Sequence, residues 1–161
     1  MKIGIISDTH ENMPLIAKSV EIFNNKHIEL LFHAGDIISP ITFNEFQKLK
    51  CKFIGVLGNN DGEKKMLKEK FNQIGQLAEK YYETEILNNR ILLIHEPDML
   101  DIFISSLKYD IIIYGHTHKV DVRTVNRTLI INPGECCGWL TGTSTIAILE
   151  LPGKKVDIIN L

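Results

Sequence analysis

Residues 3–10 read Ile3-Gly4-Ile5-Ile6-Ser7-Asp8-Thr9-His10, an apolar run that ends in a carboxylate and an imidazole. The same order recurs at three later points: 30–32 before Gly35-Asp36, 53–57 before Gly58-Asn59-Asn60-Asp61, and 111–114 before Gly115-His116-Thr117-His118. Short continuous apolar runs are typical of buried strands. Because ligands of open α/β sheets bind beyond the carboxyl ends of the strands, we expect these polar side chains to converge at one edge.

The elements around these segments predict an α/β fold. In the first half we expect strands at 3–7, 30–33 and 53–57, helices after Asn12 and Pro40, and a less regular helix over 62–78. This βαβαβ order indicates a mainly parallel sheet. The second half predicts a hairpin over 83–94 that turns at Asn88-Asn89, and a short helix at 98–107. Strands at 111–114, 120–125, 128–131, 145–151 and 156–159 then predict a second, mixed or antiparallel sheet packed on the first.

Size and composition place the chain among ordinary globular proteins. Its 161 residues, 44% of them hydrophobic, suffice for a single domain over 1–161 with one substantial core. The net charge of −2 gives no strong attraction to nucleic acid or to an anionic membrane surface. The sequence has no signal-peptide pattern and no apolar run of membrane-spanning length, so we expect a cytoplasmic protein.

The three cysteines, Cys51, Cys136 and Cys137, form a poor disulfide framework because their number is odd and two are adjacent. We expect buried, reduced thiols. Metal ligation by Cys136 and Cys137 is the alternative, although adjacent side chains seldom converge on one ion.

Seven side chains in or near these segments can bind metal: Asp8, His10, Asp36, Asn59, His95, His116 and His118. A mixed set of nitrogen and oxygen donors suits manganese, iron, zinc, nickel or cobalt better than calcium. Seven ligands exceed the needs of one ion, but a carboxylate such as Asp36 can bridge two. Pairs of ions of this kind are used for phosphoryl and other hydrolytic transfers.

The spacing within the segments favours convergence. Alternation along an extended strand end places both members of Asp8-x-His10, and both members of His116-x-His118, on one side. A glycine directly precedes the polar residue in each of the three later segments, where it allows a sharp turn and a close approach to an ion.

The motif series Asp-x-His, Gly-Asp, Gly-Asn-Asn-Asp, His and Gly-His-Thr-His, which runs from Asp8 to His118, resembles that of the calcineurin-like metallophosphoesterase superfamily. The short chain and its Asn132-Pro133-Gly134 segment are similar to the small, YfcE-type phosphodiesterase branch. The resemblance implies a four-layer αββα sandwich with two mixed sheets flanked by helices. It also implies a metal-dependent phosphodiesterase with two divalent ions, for which manganese is expected first and nickel, iron, zinc or cobalt are alternatives.

The resemblance further implies how the ligands divide between two ions. One ion takes Asp8, His10, Asp36 and His118, and the other takes Asp36, Asn59, His95 and His116, with Asp36 as the bridge. In this family a hydroxide bound to both ions attacks phosphorus in line, and no covalent phosphoenzyme forms.

Two positions depart from the family pattern. Many members carry histidine directly after the ligand asparagine, whereas Asn60 can donate a hydrogen bond but cannot act as a general acid near neutral pH. We therefore expect Asn60 to assist catalysis as a donor, with faster hydrolysis of esters that have good leaving groups. His95 is followed by Glu96-Pro97 in place of glycine, which makes Glu96 either an exposed carboxylate or a residue that lines the substrate pocket.

Several neighbours of the ligands have weaker predictions. His33 is expected either as a hydrogen-bonded core residue or as a support behind the ligands. Asp61 is expected to orient the turn at 59–60 from behind the ligands. Trp139 and Leu140 are expected in the core or in a contact between subunits.

Two alternatives to a phosphodiesterase stay open: a phosphomonoesterase that uses the same pair of ions, or a non-catalytic scaffold with the same fold. Retention of all seven ligating side chains favours an enzyme. The expected partner is a small phosphate ester, and assembly with further copies of the chain is left open. Stable binding to nucleic acid or membrane is not expected.

Overall fold

The computed structural model describes residues 1–161 as two β-sheets packed face to face, with helices on the outer sides. The strands are β1 Lys2–Ile6, β2 Leu30–His33, β3 Lys52–Val56, β4 Gly75–Ala78, β5 Tyr81–Ile86, β6 Asn89–Ile94, β7 Ile111–Ile113, β8 Val120–Val125, β9 Thr128–Pro133, β10 Thr145–Glu150 and β11 Lys155–Asn160. The α-helices are α1 Met13–Asn25, α2 Phe43–Phe46, α3 Lys64–Phe71 and α4 Leu100–Ser105.

The first sheet has the strand order β11-β10-β1-β2-β3-β4. Strands β1 to β4 are parallel, as the βαβαβ pattern predicts, while β10 and β11 add antiparallel pairs beyond β1. The prediction that β10 and β11 belong to the second sheet is therefore wrong. Side chains of β10 alternate between two cores, with Ile146 and Ile148 on the helix side and Ala147 and Leu149 between the sheets. Both sheets are covered on both faces, so this apolar run does not by itself select one of them.

One predicted helix ends earlier than its apolar pattern indicates. The predicted helix over 62–78 is confirmed only for α3, and Gly75–Ala78 forms strand β4 beside β3. An added Cβ at Gly75 would lie 2.6 Å from the carbonyl carbon of Phe53 and closer still to its oxygen. Glycine at this position therefore allows the backbone of β4 to approach β3, which a helical continuation would not do.

The second sheet has the strand order β5-β6-β7-β9-β8. Its three central strands are parallel and its two edge strands are antiparallel, which confirms the predicted second, mixed sheet. The β5–β6 hairpin turns at Leu87-Asn88, one residue before the predicted position. Both residues have positive φ, 48° and 60°, as a two-residue hairpin turn that matches strand twist requires.

Three apolar clusters define the layers. Helices α1 to α3 cover the first sheet with side chains such as Ile16 and Phe23, and the two sheets bury Ile5 and Ile113 between them. On the far side, α4 packs Ile104 and its neighbours against the second sheet. The predicted αββα sandwich is confirmed.

The helices begin close to the predicted positions. The Asn12 side chain accepts a hydrogen bond from the Leu15 backbone N–H at 3.4 Å, and Pro14 occupies the first turn of α1. The helix expected after Pro40 is short, with a 3-10 turn at Pro40–Thr42 followed by α2. No helix combines the length and the apolar character that crossing a lipid bilayer requires.

Candidate metal centre

The loops that follow β1, β2, β3, β6 and β7 meet at one edge of the sandwich, where they bring the seven candidate ligands together. Four of these ligands, on loops from both sheets, have donor atoms within 4.8 Å of one another: Asp8, His10, Asp36 and His118. Within this first half of the centre, Asp8 Oδ1 lies 3.4 Å from His118 Nε2, and Asp36 Oδ2 lies 3.4 Å from His10 Nε2.

The other three candidate ligands gather on the opposite side of Asp36. His95 Nε2 lies 2.9 Å from Asn59 Oδ1 and 3.5 Å from Asp36 Oδ1, and His116 Nδ1 lies 3.0 Å from the same Asn59 oxygen. Asp36 thus directs one carboxylate oxygen toward each half of the centre. This arrangement allows the carboxylate to give one oxygen to each of two ions.

The donor chemistry of this cluster fits bound cations. His95 Nδ1 lies 2.7 Å from the Ala34 carbonyl oxygen, which can only accept, so in the neutral ring Nδ1 carries the hydrogen. Nε2 is then an acceptor that faces Asn59 Oδ1, a second acceptor, and a cation between them satisfies both.

Two buried atoms in the first half of the centre also lack a partner that a cation could supply. Asp8 Oδ1 and His10 Nε2 have no hydrogen-bond partner, although buried polar atoms are normally paired. Burial raises the pKa of Asp8, and the hydrogen bond from Ser7 opposes that rise. The 3.4 Å separations resemble the roughly 3.4 Å between neighbouring donors around a tetrahedral ion with bonds of about 2.1 Å.

The backbone reaches the centre differently from the predicted geometry. Five ligands have left-handed φ values between 39° and 65°: Asp8, His10, Asp36, His116 and His118. The prediction that pairs of ligands share one side of an extended strand end is therefore wrong. Non-glycine residues rarely adopt this conformation, and such strain concentrates at functional sites, where the surrounding structure holds it in place.

The glycines before the ligands are needed for two different reasons. Gly35 has a φ of 96°, which fits the predicted sharp turn. Gly58 and Gly115 have no positive φ, but each lies against a neighbouring loop. A Cβ on Gly58 would lie 2.6 Å from the Asp36 backbone nitrogen, and one on Gly115 would lie 2.7 Å from the Ala34 carbonyl oxygen.

Glu135 supports the centre and was not recognised from the sequence. Its Oε2 lies 2.8 Å from His118 Nδ1, so His118 directs Nε2 toward Asp8. Burial acts to raise the pKa of Glu135, but hydrogen bonds from His118, Thr141 and Cys137 lower it to about 2. The sequence feature that could have indicated this role is a single carboxylate placed between the apolar strand β9 and the adjacent cysteines Cys136 and Cys137.

Asn60 contacts the bridging candidate directly. Its backbone N–H donates to Asp36 Oδ1 at 2.9 Å, and its side-chain amide donates to Asp36 Oδ2 at 2.8 Å. Asn60 is exposed, so its side chain also borders the open face of the centre.

Asp61 and His33 lie behind the ligands. Asp61 accepts hydrogen bonds from the Gly58 and Ile38 N–H groups, each at 2.6 Å, and burial raises its pKa. His33 is fully buried, with Nε2 3.2 Å from Thr9 Oγ1 and Nδ1 accepting from the Gly35 N–H. Burial lowers the pKa of His33 to about 3, so the ring is neutral at neutral pH.

A cavity of about 430 Å³ opens beside the second half of the centre. Asn59 and His95 form its inner wall, and Glu96 lies at its rim. Apolar side chains, among them Ile94 and Phe103, form the rest of the lining together with exposed charged residues. The Glu96 carboxylate is exposed and lines this cavity, which combines the two alternatives that the sequence left open.

The cysteines are unpaired, as predicted, and only Cys51 is partly exposed. Cys137 Sγ belongs to a compact group with His10 and His118, and its thiol donates to Glu135 at 3.0 Å. Trp139 and Leu140 are 63% and 75% exposed, so of the two alternatives a place in the core is wrong, and a contact between subunits stays a prediction.

The chain is similar to known phosphoesterases over almost its whole length. Residues 1–154 match the family model of the calcineurin-like phosphoesterase superfamily domain. Phosphodiesterase MJ0936 of Methanocaldococcus jannaschii is 42% identical over 159 residues, 96% of either chain. A solved archaeal phosphodiesterase superposes with a TM-score of 0.96 at 42% identity over the whole of both chains.

More distant structures share the fold. YfcE from E. coli has a TM-score of 0.72 at 17% identity and covers 99% of this chain and 98% of its own. Zinc-complexed Vps29 from Entamoeba histolytica has a TM-score of 0.73 at 21% identity, with 100% and 98% covered.

Proposed function

This chain belongs to the calcineurin-like phosphoesterase superfamily, and on that premise we propose that it hydrolyses phosphate diesters with two divalent metal ions. The observation that carries the proposal is the position of Asp36, whose two carboxylate oxygens face two separate groups of donors. The 42% identical relative is named a phosphodiesterase, which supports the same substrate class.

We propose that the seven ligands divide between the ions as the family pattern implies. Asp8, His10 and His118 hold one ion, Asn59, His95 and His116 hold the other, and Asp36 bridges them. When bound, such ions lower the pKa of water and neutralise charge on phosphate oxygens.

The protein side chains position the ligands and the ester. Asn60 fixes both oxygens of Asp36, and because an amide nitrogen carries two hydrogens, it can also donate to a phosphate oxygen or to the departing oxygen. Asp61 and His33 hold the backbone of the ligand loops through Gly58 and Gly35. None of these groups is a general acid near neutral pH, so we expect esters with good leaving groups to react faster.

A diester is favoured over a monoester by the room beside the centre. The cavity next to Asn59 and His95 accommodates one organic group, and on the other side of the centre the exposed Trp139 near His10 offers a surface for a second. A monoester has only one organic group to place.

Manganese is the proposed ion, and nickel, iron, zinc and cobalt suit the same nitrogen and oxygen donors. A small phosphate ester is the proposed substrate. The three unpaired thiols support residence in the reducing cytoplasm, and self-association stays a prediction.

The proposal is tested by stripping the protein with a chelator, restoring each metal in turn and measuring metal content together with rates. We expect about two ions per chain and faster hydrolysis of bis(p-nitrophenyl) phosphate than of p-nitrophenyl phosphate. The opposite ratio of rates would identify a phosphomonoesterase. Absence of both metal and metal-dependent hydrolysis would identify a scaffold.

A further inference from the structure

We propose that Trp139 is a stacking platform for a flat aromatic group on the diester, and that this group is the one that stays on the phosphate. The inference rests on the proposed function and specifies its substrate class: diesters in which one ester group carries an aryl ring or a nucleobase.

Trp139 lies at the edge of the first half of the metal centre. Its ring centroid is 6.0 Å from that of His10, with the ring planes at 41°, and His10 is in turn 5.2 Å from His118. The indole is nevertheless 63% exposed. A group attached to a phosphate at the centre therefore lies within reach of an open aromatic surface.

The backbone around Trp139 is fixed even though its side chain is exposed. On one side the Cys137 N–H donates to the Asp8 carbonyl at 3.1 Å, and the Cys137 carbonyl accepts from the Asn12 amide at 3.0 Å. On the other side the Leu140 and Thr141 N–H groups donate to the buried Glu135 carboxylate. With the backbone held, only the two side-chain torsions of Trp139 need to be ordered when a ligand stacks on the indole.

The two halves of the centre offer different surroundings for the two ester groups. The cavity adjoins Asn59 and His95 in the second half, while Trp139 adjoins His10 in the first. A diester bound at the centre can place one ester group in each of these surroundings. We assign the departing group to the cavity and the group that stays on the phosphate to Trp139.

Aromatic stacking is tolerant of ring identity, because every base or aryl ring presents a π-face. Trp139 accordingly selects for planarity rather than for a hydrogen-bonding pattern. An alkyl group such as methyl gains little from the indole.

The test compares two esters with the same leaving group, bis(p-nitrophenyl) phosphate and methyl p-nitrophenyl phosphate. For Trp139→Ala we expect kcat/KM to fall about 5- to 30-fold with the first ester, mainly through KM, and by less than about twofold with the second. Trp139→Phe should keep most of the preference because it keeps a flat ring. Leu140→Ala is the matched control, since Leu140 is 75% exposed on the same loop, and it should leave both rates unchanged.

Binding provides a second readout, since Trp139 is the single tryptophan in the chain. In zinc-loaded protein, diphenyl phosphate should shift the tryptophan emission to shorter wavelengths, whereas dimethyl phosphate at the same concentration should not. Zinc has a filled d shell, which avoids quenching by unpaired electrons. Phenolate leaves slowly, so the ester persists through the titration.

Three results would overturn the stacking role. These are an equal loss with both esters, no emission shift with diphenyl phosphate, or a change in sedimentation coefficient in Trp139→Ala that marks a contact between copies. Failure of the proposed function looks different, because the wild-type protein would then hydrolyse neither ester with any metal. Metal content, measured for each variant, shows whether His10 still binds its ion.

Discussion

Asp36 is the single side chain on which both halves of the metal centre depend, because each of its oxygens faces a different set of donors. Replacement by asparagine keeps the shape but removes the charge, and an amide is a poor bridge between two cations. We expect Asp36→Asn to lower diester hydrolysis by at least about 100-fold and to bind fewer ions. Asp101→Asn makes the same chemical change at an exposed position on α4 and should retain wild-type rates and metal content. Full activity in Asp36→Asn would contradict the bridging role.

His33 makes the stability of the metal-free protein depend on pH. Burial holds its pKa near 3 in the folded state, whereas the unfolded chain takes up a proton below about 6.5. The unfolded state therefore binds more protons between these values, so the free energy of unfolding should decrease as the pH falls from about 6.5 toward 3.

The prediction can be measured by urea unfolding in EDTA at several pH values from 6 to 4. His33→Asn lacks the titrating ring but keeps an oxygen that can accept from the Gly35 N–H. The slope of unfolding free energy against pH should be smaller in this variant by up to about 1.4 kcal/mol per pH unit. Identical slopes would show that burial does not lower the pKa of His33 in the folded protein.

At the residue scale, the sequence predicts which side chains converge but not how the backbone presents them. The motifs identify Asp8 and His118 because each belongs to a short polar pattern that follows an apolar strand. The left-handed conformations of these residues depend on loops from both sheets, which local sequence does not describe. Glu135 was missed for a related reason, since its contact with His118 joins residues 17 positions apart across the β8–β9 hairpin, which local sequence does not describe.

At the element scale, the strand ends meet so closely that one added methyl group should lower the stability of the protein. A Cβ at Gly115 would lie 2.7 Å from the Ala34 carbonyl oxygen and closer still to Ser7 Oγ, whereas nothing lies within 4 Å of the position at Gly153. We expect Gly115→Ala to destabilise the protein by about 1–3 kcal/mol and to weaken metal binding. Gly153→Ala should unfold at the wild-type urea concentration. Equal unfolding midpoints for the two variants would mean that the β7 loop moves aside without cost.

Whether a segment forms a helix or a strand could be predicted wherever its apolar periodicity was clear. Which strands pair with each other could not be predicted. The burial pattern of α1 and the apolar run of β7 correspond to the elements they predict. The place of β10 beside β1 could not be predicted, because its apolar run at 146–149 carries no alternation that selects one partner. For β4, the apolar residues around Gly75 fit a helical spacing, and only the contact with β3 decides for a strand.

At the scale of the whole molecule, the metal centre joins the two sheets. Asp8, Asp36 and Asn59 come from the first sheet, and His95 and His118 come from the second. Ions bound only by the folded protein stabilise it by mass action. We expect manganese to raise the melting temperature and EDTA to return it to the metal-free value. Asp36→Asn should show a much smaller shift, and an equal shift in both proteins would place the stabilising ion elsewhere.

The single-domain prediction has its own test in the metal-free protein. One hydrophobic layer is shared by both sheets, so neither sheet can lose its partner without exposing that layer. We expect one cooperative transition, with fluorescence and circular dichroism giving coincident curves. Two separated transitions would show that the sheets unfold independently.

The position of β1 between β10 and β2 has a consequence for how each new molecule is made. A ribosome synthesises residues 8–59 first, together with four of the seven donors, but β10, the neighbour of β1 on one side, is synthesised only after all seven donors. The remaining donors follow β6 and β7, strands of a sheet that packs on the first sheet while that sheet still lacks β10 and β11. We therefore expect stable cation uptake to come after β10 has been added beside β1.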